Sequence, residues 1–322
     1  MAYNSIISRT DAAALIPEDV SREILQAVPQ ASAVMSLARR LPDMPRKQRR
    51  MPVVSALPTA YFLTGETSKK QTTEVNWDSV YIDAEELAVI VPIPEAVLDD
   101  NDYDIWSEVR PLLSEAFGIA IDGAVLYGTN IPSSWTTNLG AAGLIAVIDA
   151  ASQEISLASY TDMYEAILGE TGAGASGLFG IVEEDGFMVT GSIAHMSMKR
   201  KLRNIRATEG ELIFTTSMQG ANQYLLDGSP ILFPVNGAIS STYYLISGQW
   251  NQLVWAMRQD VTYKVLDQAV IQDAQGNIIY NLAQQDMVAL RAVMRLGFAL
   301  PNPINRMQET EASRCAFASL TA

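Results

Sequence analysis

The stretch WAMRQDVTYKVLDQAVI (residues 255–271), followed by LAQQDMVALRAVMRLGFALP (residues 282–301), governs how the rest of the chain is read. In the first run Val261, Tyr263 and Val265 alternate with Thr262, Lys264 and Leu266, the period of two expected of a strand. In the second, Val288, Leu290, Ala292, Met294 and Leu296 fall on one face, while Arg291, Val293 and Arg295 fall on the other. Between the runs, Gln275-Gly-Asn277 suits a turn joining the two strands, because Gly and Asn tolerate positive φ. Two long strands of this kind bring Arg258 and Lys264 near Arg291 and Arg295 on a polar face. Pattern alone therefore predicts an antiparallel sheet with one wet side.

Composition sets the frame around that sheet. A chain of 322 residues can bury a sizeable core and hold one or two domains. With 48% hydrophobic and 18% charged residues it reads as globular. No apolar run approaches the roughly 20 residues that span a bilayer, so no membrane partner is expected. The N-terminus lacks the basic-then-apolar layout of a signal peptide. Cys315 is the single cysteine, which excludes an intramolecular disulfide and a cysteine-based zinc site. These features predict a soluble protein made in a reducing cytoplasm. The net charge of -14 argues against a general nucleic-acid binder, whose affinity rests on neutralising phosphates.

Taken in order, the chain opens with a helical pattern over residues 10–41, with Pro17 in a first-turn position and a break or kink at Pro29. Residues 42–83 differ in character. They carry four prolines, the basic cluster Arg46, Lys47, Arg49 and Arg50, and a polar tip holding Glu66, Lys69 and Lys70 between two strand-like runs. That layout is a long hairpin whose tip is too polar for its own core, and such a hairpin needs a surface to lie on. Next comes the segment AVIVPIPEAVLDD (residues 88–100), and then a long helix over residues 105–126 with a broad apolar stripe ending at Gly128. Pro111 predicts a kink there or an early-turn location. The acidic run Asp99, Asp100, Asp102 and Asp104 is a candidate acceptor for the basic cluster of a neighbouring molecule. Residues 183–250 return to a strand-and-helix rhythm, with Leu226-Asp-Gly228-Ser-Pro230, Tyr243-Tyr-Leu-Ile-Ser-Gly248-Gln-Trp250 and a cationic helix over residues 199–206.

These segments together resemble the major capsid proteins of tailed bacteriophages with the Hong Kong 97 fold, over roughly residues 14–305. The likeness is most specific in the last third: Arg258-Gln259-Asp260 entering a strand, the polar strand through Val288-Ala-Leu-Arg291, and the closing Asn302-Pro303. The resemblance implies an α+β fold with an N-terminal arm (residues 1–41) and an extended-loop hairpin (42–84). A peripheral domain with a spine helix would comprise 85–130 and 250–322, and an axial domain 131–249. It implies a non-catalytic protein that assembles with itself into hexamers and pentamers, forming an icosahedral head shell around double-stranded DNA. The partners implied are other copies of the chain, scaffold and portal proteins, decoration proteins in some relatives, and DNA by non-specific proximity. The location would be the virion, after synthesis and assembly in the host bacterial cytoplasm. The candidate contact residues are Arg46, Lys47, Arg49, Arg50, Glu66, Lys69, Lys70, Asp99, Asp100, Asp102 and Asp104. Some relatives weld subunits by a lysine–asparagine isopeptide bond, for which Lys69 or Lys70 and Asn302 or Asn305 are the positions here. An encapsulin-type nanocompartment shell is the nearer alternative, and a soluble enzyme of unknown class the more distant one.

Little in the sequence supports catalysis. His195 is the only histidine, and no serine stands in a GxSxG elbow. His195 is therefore expected to be structural and Cys315 inert. Scattered carboxylates give no metal-binding spacing, so neither metal nor cofactor is expected. The spacing Gly172-Ala-Gly174-Ala-Ser-Gly177 matches a dinucleotide fingerprint in letters only, since a helical pattern precedes it where a strand is required.

Overall fold

The computed structural model describes residues 31–63, 69–99, 105–170, 175–204 and 225–322. Strand β10 (Val254–Leu266) pairs antiparallel with β13 (Met287–Ala299), placing Trp255 opposite Phe298 and Lys264 opposite Arg291. Strand β4 (Glu85–Pro94) adds to the other side of β13, and β1 (Arg39–Arg40) runs parallel to β10, giving the order β1-β10-β13-β4. On β13 Leu290, Ala292, Met294 and Leu296 are buried and Arg291 is exposed, but the second face is not wet throughout, since Ala289 and Val293 are buried as well. Arg295 crosses to Glu86 on β4 with contacts of 2.9 and 2.6 Å.

The turn at residues 275–277 does not join the two long strands directly. It closes a separate hairpin of β11 (Val270–Gln272) and β12 (Ile278–Asn281) inserted between them. Gly276 takes φ +86°, and Asp273 accepts from the backbone N–H groups of Gln275 and Asn277. The local turn chemistry was sound; two further short strands intervene. Two register shifts in β10, between Met257 and Thr262, mark bulges that locally increase strand twist.

Helix α3 (Ile105–Tyr127) is about 34 Å long at 1.5 Å per residue. Its buried residues Leu113, Phe117, Ile121 and Ala124 recur at helical spacing and share one hydrophobic cluster with the inward face of β13. Pro111 lies inside α3, and the helix runs continuously through it, not starting there. The helix stops at Gly128, whose φ is +68°; a Cβ added there would lie 2.3 Å from the Ala141 carbonyl oxygen. The predicted helix over residues 10–41 falls largely outside the described residues. Its described part is shorter than expected: α1 (Ala33–Leu37) ends as Ala38 becomes extended, and Arg39–Arg40 form the edge strand β1.

The expected hairpin is present. Strand β2 (Gln48–Val54) pairs antiparallel with β3 (Trp77–Asp83), with Met51 opposite Val80. Beyond this ladder the two arms still touch, through Thr59 N–H to Thr73 Oγ1 (3.0 Å) and Tyr61 Oη–H to the Gln71 carbonyl (2.9 Å).

A second sheet has the order β5-β14-β9-β6-β8-β7. Its strands are β5 (Glu154–Ser156), β6 (Gly191–Ala194), β7 (Leu225–Leu226), β8 (Ser229–Leu232), β9 (Tyr243–Gly248) and β14 (Phe317–Thr321). Strand β14 comes from the C-terminal segment, which the resemblance assigned to the peripheral domain with the first sheet. Its partner strands, β5 and β9, draw it into the second. Short helices attend this sheet: α4 (Thr136–Leu139), α5 (Leu144–Ala150), α6 (Met163–Leu168), α7 (Leu178–Glu184) and α8 (Met196–Arg203). All four residues of β6 are buried, and Ser192 satisfies its hydroxyl against Ser247 Oγ at 2.8 Å. Trp250 packs edge-on against Phe317, and its indole N–H donates to the Gly191 carbonyl.

Candidate functional site

The residues that could do chemistry are engaged in holding the fold. His195 is the N-cap of α8, its Nδ1 accepting from the Ser197 backbone N–H. Cys315 is fully buried, and burial pushes its thiol up to about 12, so thiolate is scarce at neutral pH. Among the described residues, no group of three or more His, Cys, Asp or Glu could hold a metal ion. Gly172 and Gly174 of the fingerprint-like run lie outside the described residues. Helix α6 precedes that run and α7 follows Gly177, which is not a strand–turn–helix unit. Among the described helices, none is long and apolar enough to cross a membrane.

A cavity of about 570 Å³ opens between α3 and the first sheet. Ala116, Ile119, Ala120 and Gly123 line one side, and Leu87 and Leu296 the other. Its titratable groups are already committed. Glu85 pairs with Lys47 at 3.4 Å and accepts from Ser134, and Glu86 pairs with Arg295. Tyr127 Oη accepts from the Ser240 N–H, and burial pushes its phenol up to about 12. No nucleophile stands beside a base there, so the cavity offers shape and apolar surface.

The candidate contact residues divide into those with internal roles and those facing outward. Arg49 donates to the carbonyls of Pro42 (2.7 Å) and Asp43 (2.9 Å), and Arg50 donates to Ser79 Oγ (2.7 Å). With the Lys47–Glu85 pair, three of the four basic-cluster residues thus brace the root of the hairpin. Arg46, Lys69 and Lys70 are exposed. Asp99 ends the short helix α2 (Glu95–Asp99), while Glu66, Asp100, Asp102 and Asp104 lie outside the described residues. Asn302 Nδ2 donates to the Arg314 carbonyl and Asn305 Nδ2 to the Asp185 carbonyl, so both amides have internal work.

Three features were missed in the sequence. Asp122 is completely buried on α3; its Oδ2 accepts from Ala33 N–H (2.9 Å) and its Oδ1 from Val34 N–H (3.1 Å) and from the Ser32 hydroxyl. It thereby pins the start of α1 to α3. Burial raises its pKa, against the hydrogen bonds that lower it. One signal was available, since Asp122 is the only charged residue in FGIAIDGAVL (residues 117–126). Arg314 is buried and donates to the carbonyls of Asn302, Gln308 and Glu309 and to Asn302 Oδ1, knotting residues 302–314. The third feature lies on the hairpin. Phe62 is 103% exposed, flanked by Tyr61 and Leu63, both also exposed. A wholly exposed phenylalanine between two partly exposed apolar neighbours is an apolar patch of the kind that marks a surface for a partner.

Comparison with known proteins gives these surfaces a context. Residues 12–305 match the model of the phage capsid family. The major capsid protein of Staphylococcus phage 80alpha is 26% identical over 277 residues, spanning 85% of this chain and 78% of its own length. A solved chain of Microbacterium phage Oxtober96 superposes with a TM-score of 0.81 at 31% identity, covering 98% of this chain and 99% of that one. A chain of Mycobacterium phage Bobi gives 0.78 at 26% identity, with coverages of 98% and 99%. These relatives are of phage origin and favour the phage shell over the bacterial compartment. The chain belongs to the phage capsid family and is a major capsid protein of the tailed-phage, Hong Kong 97 type.

Proposed function

We propose that the chain forms hexamers and pentamers that close into an icosahedral head around double-stranded DNA, with the β2–β3 hairpin of each subunit lying on a neighbour. The observation that carries this reading is the exposed run Tyr61-Phe62-Leu63 on the distal part of the hairpin, beyond the base where Ile82 is buried with Met51 and Val80 packed beside it. A two-stranded ribbon of that length is marginal in water and gains stability from a surface beneath it. Trp77 on the returning arm is also 65% exposed, so both arms offer apolar area to the same neighbour.

In this reading residues 85–130 and 250–316 form the peripheral part of the subunit. The second sheet, with β14, forms the axial part that gathers at capsomer centres. Arg46, Lys69 and Lys70 contribute outward charge to inter-subunit contacts, and Asp99 contributes its carboxylate. Many weak contacts repeated under closed symmetry give a stable particle. The net charge of -14 keeps an inner wall from sticking to packaged DNA. Scaffold and portal proteins direct closure during assembly in the host cytoplasm.

Sedimentation velocity with negative-stain electron microscopy across a range of protein concentrations tests this. Closed shells or rings of five and six are expected. A uniform monomer or dimer at every concentration, with and without scaffold, would overturn the reading.

A further inference from the structure

The axial part of the molecule separates its charges to an unusual degree. Residues 131–198 contain eight carboxylates and neither lysine nor arginine, and the next five residues bring Lys199, Arg200, Lys201 and Arg203. The fold keeps the two sets apart. Exposed Asp149, on the last turn of α5, and exposed Glu154, on β5, sit at one edge of the six-stranded sheet. Helix α8 belongs to the other half, in the connection between the parallel neighbours β6 and β8.

Strand β9 shows that the two sets also occupy opposite faces. Consecutive residues of a strand point to opposite sides. Tyr243 titrates high, through burial first and then through the charges of Glu154 and Asp149. The next residue, Tyr244, carries Lys201 Nζ 3.7 Å from its ring centroid. Buried Met198 and Leu202 fix the inner side of α8, leaving Arg200 and Arg203 exposed. Among the described residues, Arg200, Arg203, Asp149 and Glu154 form no ion pair. Cations in a last helical turn favour the helix dipole, which accounts for some of α8's charge. It does not account for a preceding stretch free of cations.

We propose that α8 is the cationic half of a head-to-tail contact between copies of this chain, in which Arg200 and Arg203 of one subunit meet Asp149 and Glu154 of the next. Because the two surfaces differ, the contact is heterologous, and its repetition closes a ring when the rotation permits. The inference rests on the shell reading above, which supplies the second copy. Rim charges of this kind set register and association rate, and added salt weakens them.

Charge reversal tests it. Arg200→Glu with Arg203→Glu, and separately Asp149→Lys with Glu154→Lys, should each leave the subunit folded, with thermal unfolding of the arginine pair lowered only by the lost charge–dipole contribution at the end of α8. Each pair should raise the protein concentration needed for assembly at low salt by at least about ten-fold, since complementary charge acts on association. The four-fold variant should recover to within about three-fold of the parent, because the charges face each other again. Assembly of the arginine variant at the parental concentration overturns the inference while leaving the shell reading intact. So does failure of the four-fold variant to recover. Loss of binding to a DNA duplex by the arginine variant, without recovery of assembly, would instead assign α8 to nucleic acid. A parent that forms no particle at any concentration overturns the shell reading and the inference with it.

Discussion

The β10–β13 pair and the β2–β3 hairpin are both antiparallel ribbons built from β-branched and aromatic residues, yet they end in different conditions. On β13 the apolar residues Leu290, Ala292, Met294, Leu296 and Phe298 are buried in the core cluster they share with the inner side of α3. On the hairpin Trp77, Tyr81 and the run 61–63 remain in water. Strand-forming residues need a cover for one face, and the first ribbon finds it within the chain. The second is covered only over its base, where Ile82 is buried with Met51 and Val80 beside it against Val254, Ala256 and Ala299. Its backbone is held by the Asn138 amide at the Tyr81 carbonyl, by Ile304 N–H at the Val54 carbonyl (3.3 Å) and by Arg306 at the Pro58 carbonyl, while the apolar side chains farther out find no cover. The contrast separates residues that make the subunit from residues that make the particle.

Substitutions should divide along that line. The largest loss of subunit stability is expected at Phe298, which is fully buried against Trp135 and Trp255. Phe298→Ala should cost about 3–5 kcal/mol in denaturant unfolding of the dissociated subunit. Arg314→Met should cost about 2 kcal/mol, because it strands the carbonyls of residues 302, 308 and 309 without their donor. Limited proteolysis should then cut within residues 302–314 sooner than in the parent.

Asp122 gives a pH signature. Its folded pKa lies above the ordinary carboxylate value, so the folded state binds its proton more tightly than the unfolded chain does. Its contribution to stability is therefore fully present below the unfolded value of 3.8 and lost as pH rises through the folded pKa. Asp122→Asn should flatten that part of the stability–pH profile, and an unchanged slope would show that another group sets it. The smallest effect on the subunit is expected at Phe62. Phe62→Ala should change its unfolding free energy by less than about 0.5 kcal/mol, as for other exposed positions. The same variant should assemble measurably less well, and that split is the sharpest form of the comparison.

The same contrast marks what the sequence made legible. The period of two in residues 288–296 and the apolar stripe of α3 are local signals that packing leaves intact, so sheet and helix were read correctly. The hairpin was legible because its tip was too polar for a core. The reading failed where structure depends on distant partners. Nothing near residues 317–321 says that β14 inserts between β5 and β9, since both neighbours are remote in sequence. Nor does the basic cluster reveal that Arg49 and Arg50 are spent on Pro42, Asp43 and Ser79, because carbonyl acceptors leave no compositional trace. Asp122 did leave one, as a lone charge in an apolar run.

Amide hydrogen exchange on assembled particles and dissociated subunits tests the central claim most directly. Residues 55–63 and 69–76 should exchange rapidly in the free subunit and become protected in the particle, while β10 and β13 are protected equally in both. Equal, rapid exchange of the hairpin in both states would contradict the account, since that hairpin would then have no neighbour to lie on.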